Sequence, residues 1–529
     1  MTTALCLSLG HNASAIMVCD GKIVAGYEEE RLSGVKSDSH FPIKSIKRLL
    51  QDYPVSKSAL HVCISHWYLD GKLDANDDKH LNVEYLDLIS KRENWHCVNT
   101  EFTHHDAHYE VAKVFAGREY SQDALGVVLD GFGTLGEVVT IYLGDRLIHR
   151  SFGLNFSYGL LYQYATSYMG MVENQDEYKL LGYEAHYIPN DLMNGLVAKY
   201  ANKYTESNMV NKLGEPGDAM LSLSALSYTR IWVYSMLDDV LDTLGYESGS
   251  IKDLRPALSY FVQGVLEESV INLLSIFGGR TALLSGGVFM NVKLNMALMN
   301  YFDKICILPV CGDQGAGLGV YQKVFGNLVW PEHLFWGHRD LNVPEGIEGT
   351  YKIAQSDLKE AIVRELKKSG MVQVIQGSME FGARSLCNTC TLALPSKVNV
   401  RKINEINGRN TIMPMAPVVV PEMLDCFEDF SKVHKSLEYM VCALRLSMDC
   451  MDSYDMIEGA AHFYELNGSY TCRPQIVYSG PVYKAIQEVG PLINTSLNAH
   501  GQPIVFEKES IEKCMEIQGN QIKTFVVLQ

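Results

Sequence analysis

Apolar and polar positions alternate through Leu5-Cys6-Leu7-Ser8-Leu9, and Gly10-His11-Asn12 ends the run with a polar turn. Ser14 to Val18 and Ile23 to Tyr27 predict two further strands joined at Asp20-Gly21, a dipeptide suited to a tight hairpin. A charged run, Glu28-Glu29-Glu30-Arg31, follows. Residues 104–116 carry apolar positions at helical spacing, and Ala124 to Leu129 is a continuous apolar strand ending at Asp130-Gly131-Phe132-Gly133. Long helices are predicted over 218–245 and 256–277. Ala282-Leu283-Leu284 then runs into Ser285-Gly286-Gly287, and Ile305 to Leu308 into Pro309, Gly312 and Asp313. Prolines and glycines interrupt the pattern near 331–350, after which a helix at 356–368 precedes a strand at 372–375, with strands and loops beyond. Alternating strands and helices predict an α/β class, with a large N-terminal domain over 1–345 and a smaller one over 346–529. No internal repeat is evident in the sequence.

Composition narrows this little. Apolar residues make up 47% and charged residues 20%, as in ordinary globular chains, which excludes disorder and a disulfide-stapled miniature fold. No stretch approaches the ~20 apolar residues that span a bilayer, and no basic leader opens the chain, so a cytoplasmic protein without a membrane partner is expected. The 13 cysteines, an odd number scattered along the chain, read as reduced thiols. A net charge of −17 argues against nucleic acid as a general partner, while leaving room for a local basic groove.

The densest chemistry is His104-His105-Asp106-Ala107-His108. His104 and His108 are four apart, share one face of a helix, and can reach one ion. Asp130 and Asp313 each end an apolar strand beside glycines, where metals and phosphates sit in α/β sheets. Against this stand a plain polar helix face and ordinary Asx turns. Farther on, Gln376 to Leu386 combines glycines with Glu380 and Arg384. With Arg409, Arg473 and Lys402 it offers guanidinium groups for a small oxyanion, or surface salt bridges. Asn494-Thr495-Ser496-Leu497-Asn498 is either a capped turn or a polar pocket wall. The order of the glycine turns resembles the two-lobed fold of actin, hexokinase and the Hsp70 ATPase, and no Walker A sequence is present.

Taken in order, these segments resemble the O-carbamoyltransferase family of the NodU/CmcH and tobramycin-carbamoyltransferase type. The matching blocks are Gly10 to Ala15, Glu28 to Arg31 with Lys36 and Phe41-Pro42, His104-His105-x-x-His108, and Val128 to Gly131. Tyr158 to Tyr162, Glu177 to Gly182, Gly286 to Asn291 and Gly312 to Gly315 continue the series. Met379 to Leu386, Met415 to Pro417, Asn494 to Asn498 and Gly501 to Ile504 complete it. The resemblance implies a Kae/TsaD-like, actin-like N-terminal domain fused to a YrdC-like domain. It implies that carbamoyl phosphate and ATP (with Mg) form carbamoyl adenylate, whose carbamoyl group passes to an acceptor hydroxyl beside Fe(II) or a similar metal. By position, His104, His108, Asp130 and Asp313 would be the metal ligands, and His11 and Lys36 would lie at the transfer site. Gly286, Gly287 and Asn291 would sit near the nucleotide. Arg473, Asn494, Arg384, Arg409 and Asn498 would line the donor pocket.

Two departures stand out. The family's Arg-Ala-Leu-Gly-Asn-Arg-Ser reads Arg384-Ser385-Leu386-Cys387-Asn388-Thr389-Cys390, and its Lys-x-Arg-Glu-x-Phe-Arg-Pro reads Asn407 to Pro414. Asn407 and Met413 therefore replace two cations expected at the donor phosphate, unless Lys397, Arg401, Lys402 or Arg409 compensates. Four readings follow: carbamoylation of a small alcohol, the same chemistry on a hydroxymethyl pyrimidine (free or in nucleic acid), threonylcarbamoyl transfer to tRNA, and a nucleotide- or metal-binding module without turnover. A homodimer is compatible with all of them.

Overall fold

The structure, a computed structural model, describes residues 2–55, 60–65, 78–98, 103–210, 223–246, 251–339, 347–409, 413–447, 458–464 and 469–527. The opening strands form as their alternation predicts: β1 (Thr3–Ser8), β2 (Ser14–Cys19) and β3 (Lys22–Glu28) make an antiparallel meander. Asp20 (φ +46°) and Gly21 (φ +82°) both take left-handed backbone at the β2–β3 turn. Helices α1 (Glu29–Ser33) and α2 (Ile43–Asp52) follow, and β4 (Leu60–Ile64) returns to lie parallel beside β1. After α3 (Asp78–Glu93), β5 (His96–Cys97) completes a five-stranded sheet of order β3-β2-β1-β4-β5.

A second sheet repeats that plan. After α4 (His104–Ala116), β6 (Leu125–Leu129), β7 (Glu137–Leu143) and β8 (Arg146–Phe152) form another antiparallel meander. Helices α5 (Tyr158–Tyr168), α6 (Tyr178–Glu184), α7 (Asp191–Met209), α8 (Leu223–Thr243) and α9 (Ile251–Leu274) intervene. Then β9 (Thr281–Ser285), α10 (Val292–Leu298) and β10 (Lys304–Ile307) add two parallel strands, giving the order β10-β9-β6-β7-β8. A topology is thus duplicated without a sequence repeat, because pairing order is fixed by backbone contacts rather than by side-chain identity. Helix α9 starts at Ile251, earlier than expected, with Pro256 inside its second turn; of the long helix expected over 218–245, residues 218–222 lie outside the described ones. Helix α11 (Ala316–Phe325) lies on the first sheet and α4 on the second, and the two helices pack on each other between the sheets.

The third sheet belongs to the C-terminal part. It comprises β12 (Thr350–Ile353), β13 (Met371–Ile375), β15 (Thr389–Ala393), β16 (Ala416–Val419), β20 (Gln475–Ile476), β21 (Leu492–Ser496) and β22 (Thr524–Val527). Their order is β12-β22-β13-β15-β21-β16-β20. Where strands and loops were expected, the described residues also form three α-helices: α13 (Lys397–Ile406), α14 (Gly480–Val489) and α15 (Lys508–Gln518). With α12 (Leu358–Ser369), α14 covers one face of the sheet through Leu358, Ile362, Val482 and Ile486. Helix α15 covers the other through Ile511 and Met515.

Packing crosses the Pro- and Gly-rich stretch expected to divide the chain, of which residues 340–346 lie outside the described residues. Strand β11 (Phe335–Gly337) pairs with β14 (Met379–Glu380), and Trp336 stacks on Phe381. Short 3-10 turns over 421–439 return to the second sheet: the Ser436 hydroxyl accepts from the Ile307 amide at 2.9 Å, and Lys435 donates to the Ala116 carbonyl at 2.8 Å.

Candidate metal centre and anion pocket

Helix α4 is fixed at its N-terminus by side chains from three places. The His104 amide donates to Thr134 Oγ1 (2.9 Å), the His105 amide to Glu137 Oε1 (2.9 Å), and the Asp106 amide to Thr103 Oγ1 (3.3 Å). Asp106 returns the favour to the Thr103 amide at 2.8 Å, closing a capping box. Beneath it, buried Glu137 pairs with Arg150 at 3.2 Å, and Arg150 with Asp106 at 2.6 Å. The first turn is thereby pinned: His105 turns to Thr140 Oγ1 (2.9 Å), while His104 and, one turn on, His108 are directed at Asp130 and Asp313.

There the four expected ligands converge. One ligand atom from each of His104, His108, Asp130 and Asp313 lies within 4.8 Å of the others, and all four residues are buried. His104 Nε2 is 3.4 Å from Asp130 Oδ2 and 3.3 Å from Asp313 Oδ1; His108 Nε2 is 3.5 and 3.7 Å from the same atoms. The two Nε2 atoms are 3.1 Å apart. Asp130 Oδ1 accepts from the Gly131 amide (2.8 Å) and the Gly287 amide (3.3 Å), whereas its buried Oδ2 has no hydrogen-bond donor. Two imidazole nitrogens and two carboxylate oxygens aimed at one point suit a divalent first-row metal. Burial works against protonating His104, but Asp313 and Asp130 outweigh it and raise its pKa to about 9. The same two imidazoles hold both carboxyls below the usual carboxylate range despite burial. Two residues that sequence reasoning missed support the centre: Ser65 Oγ lies 3.0 Å from His104 Nδ1, and Ser285 Oγ 3.2 Å from His108 Nδ1. Ser285 was visible only as part of a glycine turn, and Ser65 carried no signal.

The other expected residues fall around this centre. His11, in the β1–β2 turn, is close enough to Asp313 to help depress its pKa. Gly286 takes φ +96°, and a Cβ there would come within 2.2 Å of the Leu129 carbonyl oxygen, so the β9 turn can close on Asp130 only with glycine. Asn291 caps α10: its Oδ1 accepts from the Lys293 and Leu294 amides, and its Nδ2 donates to Gln263. The cap uses the side chain that was expected near the nucleotide.

Arg384 and Arg473 are near enough for the charge of one to act on the other. Burial lowers the pKa of Arg473 well below the ordinary guanidinium value, and the charge of Arg384 lowers it further. Burial also lowers Arg384. Among the described residues no carboxylate lies within ion-pair distance of either. Asn494 stands beside them, donating to the Ser385 carbonyl (2.7 Å) and to Gln475 Oε1 (2.9 Å), while its own buried Oδ1 has no donor. Cys311, two residues before Asp313, feels the charges of both Arg384 and Asp130; burial pushes its thiol up to about 12. Arg409 donates to Thr495 Oγ1 (2.6 Å), to Ser496 Oγ (3.2 Å) and to Asn498 Oδ1. Burial lowers its pKa too, and the phenol of Tyr178 acts on both Arg409 and Arg384. Lys36 is linked in turn: its ammonium sits 3.8 Å from Glu30, and Arg409 adds to the effect of burial in lowering its pKa. Electrostatic coupling thus links Asp130 of the cluster, by way of Cys311, to Arg384, and Arg384 to Arg473 and, through Tyr178, to Arg409.

Two expectations need correction. Asn407 does not stand where a donor-site cation would. It is buried, with Oδ1 accepting from Gln518 Nε2 at 2.7 Å, in a network that continues to Gln373 at 2.9 Å. After the last turn of α13, Gly408 (φ +64°) reverses the chain and carries Arg409 back to β21. Met413 packs against Leu181, Val292 and Ala443. Of the compensating cations considered, Lys397 pairs with Glu458 (3.1 Å), Arg401 and Lys402 are exposed, and Arg409 alone converges on the pocket. Nor are the cysteines all scattered: Cys387-Asn388-Thr389-Cys390 is a Cys-x-x-Cys pair. Cys387 occupies left-handed backbone, φ +75°.

Comparison with known proteins bears on the family of the chain. The family model described as carbamoyltransferase N-terminus matches residues 78–321, and that described as carbamoyltransferase C-terminus matches 363–527. An uncharacterized protein of Methanocaldococcus jannaschii is 25% identical over 96% of this chain and 95% of its own. The nodulation protein NolNO of Sinorhizobium fredii is 24% identical over 94% of this chain and 75% of its own. A 3'-hydroxymethylcephem-O-carbamoyltransferase of Amycolatopsis lactamdurans is 27% identical over 46% and 47%. Among solved structures, full-length HypF in its phosphate- and nucleotide-bound form covers 62% of this chain, and this chain covers 47% of it, at 14% identity and TM-score 0.30. On the matches at both ends, this chain belongs to the carbamoyltransferase family of the NodU/CmcH type and is an enzyme that transfers a carbamoyl group to a hydroxyl acceptor.

Proposed function

We propose that this carbamoyltransferase is ATP-dependent, forming carbamoyl adenylate from carbamoyl phosphate at one end of the site and passing the carbamoyl group to an alcohol at the other. The observation that carries the reading is the pair Arg384 and Arg473, with no carboxylate partner among the described residues, set beside a closed two-histidine, two-aspartate cluster. Two guanidinium groups without a counter-charge repel each other, an anion between them relieves that repulsion, and a phosphorylated donor supplies one.

In this reading Arg384, Arg473, Asn494 and Arg409 hold the donor phosphate. Water releases carbamate and inorganic phosphate from carbamoyl phosphate. A carbamate oxygen then attacks the α-phosphorus of ATP, and pyrophosphate leaves. This converts a poor electrophile into a mixed anhydride with AMP as leaving group. The acceptor oxygen attacks the carbamoyl carbon, AMP departs, and His11 takes the hydroxyl proton. Lys36 neutralises charge along the path between the two ends. His104, His108, Asp130 and Asp313 would hold a divalent metal, Fe(II) or a similar ion, which supplies Lewis-acid polarisation of an oxygen. The 1–345 part, an actin-like unit built on the duplicated sheets, carries the transfer; the 346–529 part, YrdC-like, carries adenylate formation.

The test is incubation of the protein with Fe(II), ATP and carbamoyl phosphate without acceptor. Mass spectrometry should find carbamoyl adenylate, and pyrophosphate should appear only when carbamoyl phosphate is present. Metal and ATP binding without either product would sink the adenylate route.

A further inference from the structure

The charged run Glu28-Glu29-Glu30-Arg31, singled out in the sequence and given no role above, is buried in the fold, at 3 to 6% exposure for each residue. Four consecutive ionisable residues under cover need a reason, since desolvating them is costly unless every charge is paired. Glu29 has a local one: its carboxylate accepts from the Lys44 and Ser45 amides and the Ser45 hydroxyl, fixing the start of α2. The other three reach out of their own sheet.

Glu28 Oε2 accepts from the Gly382 amide at 3.1 Å, and Arg31 Nη2 donates to the Gly382 carbonyl at 3.0 Å and to Glu28 at 3.1 Å. Both backbone groups of one glycine, two residues before Arg384, are therefore gripped from the N-terminal part. Gly382 has φ +103°, backbone that a side chain would strain. The loop it leads into is tied from within. Glu380 Oε1 accepts from the amides of Leu386, Asn388 and Thr389, all within 2.8–2.9 Å. On the other side, Arg31 Nη1 lies 2.7 Å from Glu30, and Glu30 accepts from the Ser37 amide (2.8 Å) and holds Lys36 at 3.8 Å. The run thus joins the segment carrying Lys36 to the loop carrying Arg384.

We infer that Glu28, Glu30 and Arg31 form a charged strut that sets Arg384 in place for its anion, with Arg31 as the positioning residue. This rests on the reading of Arg384 as an anion-binding group. Arg31 touches no reacting atom. A misplacement of about 1 Å at such a site costs about a hundredfold in rate, so a rigid tie at Gly382 has a function beyond cohesion.

The experiment titrates inorganic phosphate into the full-length, metal-loaded protein by calorimetry. Arg31→Met should weaken phosphate binding about tenfold, and Arg31→Lys, which keeps the charge but not the two-pronged reach, by a smaller factor. Arg384→Met should weaken it as well, and adding Arg31→Met to it should cost nothing more, because the strut acts through Arg384. Cobalt(II) absorption at the histidine–aspartate centre should stay unchanged in every variant, reporting an intact fold. If Arg31→Met does not fold, Arg31→Lys against Arg384→Met decides the same question. Phosphate affinity that ignores Arg31, losses that add in full, or a wild-type protein that binds no phosphate would each overturn the strut. A wild type that binds phosphate yet releases no pyrophosphate from ATP and carbamoyl phosphate would remove the adenylate reading and leave the strut standing.

Discussion

Each imidazole at the metal centre is held from behind by a serine hydroxyl, Ser65 for His104 and Ser285 for His108. With Nδ1 carrying the proton and donating it to the hydroxyl, Nε2 is left free for a metal, which is the tautomer the four-ligand cluster requires. Ser285→Ala should therefore lower metal affinity about tenfold without unfolding the protein. Asp130→Asn, which removes a ligand charge and turns an acceptor into a donor beside two imidazoles, should lower it more than a hundredfold. Competition with a chelator checks both; equal affinities for Ser285→Ala and the wild type would show that the serine does not set the tautomer. The convergence of these four residues was legible because two histidines four apart and two strand-end aspartates carry a spacing signal. The serines were not, since a hydroxyl at a strand end has many uses and its partner lies 39 or 177 residues away. Asn407 shows the reverse: matched by position to a family lysine, it turns into the core, and the reversal at Gly408 brings Arg409 to β21 instead.

At the scale of elements, the crossing of α4 with α11 does for the centre what the serines do for each ring. A Cβ on Gly319 would lie 1.8 Å from the Ala107 carbonyl oxygen, so the helices approach this closely only because α11 has glycine at the contact. Ala107 sits between His105 and His108. Gly319→Ala must push α4 and α11 apart, and we expect a loss of about 2–3 kcal/mol in stability together with weaker metal binding. Thermal unfolding and the same chelator competition measure the two; a stability loss with unchanged metal affinity would place the cost elsewhere than in α4. Elements with long periodic stretches, such as α4, α8 and α9, were readable from spacing. The three helices after residue 395 were not. Each has only 10 or 11 residues, so its buried stripe contains few apolar positions, Val482, Ala485 and Ile486 in α14. That is too short a run to separate helical period from the strands on either side. Strand pairing was illegible for another reason. The second sheet repeats the order of the first across five intervening helices, and non-local pairing of that kind leaves no local trace.

For the molecule as a whole, the question left by the sequence is what kind of alcohol reaches the site, and the distribution of charge bears on it. The net charge is −17, so binding a polyanion needs a local surface of free cations. Of the adjacent basic pairs Lys47-Arg48 and Lys367-Lys368, one member each is held by carboxylates: Arg48 by Asp52 (2.9 Å) and Glu507 (2.5 Å), and Lys367 by Glu488 (2.7 Å). At the site itself, Arg384 and Arg473 have no carboxylate partner among the described residues, and burial lowers the pKa of both, which suits a small phosphate better than an extended backbone. A small neutral acceptor should then show a KM that changes less than about twofold between 50 and 200 mM salt, whereas a protein making six or more phosphate contacts to DNA loses about a thousandfold over that range. Assaying a 5-hydroxymethyl pyrimidine as a free nucleoside and within a duplex oligonucleotide, each at both salt concentrations, separates the cases. Turnover of the nucleoside with a flat salt profile, and none of the duplex, is the expected result. Preference for the duplex with a steep salt slope would mean that exposed cations such as Lys47, Lys368, Arg401 and Lys402 take part in a basic surface, and that the base is flipped out of the helix to meet His11.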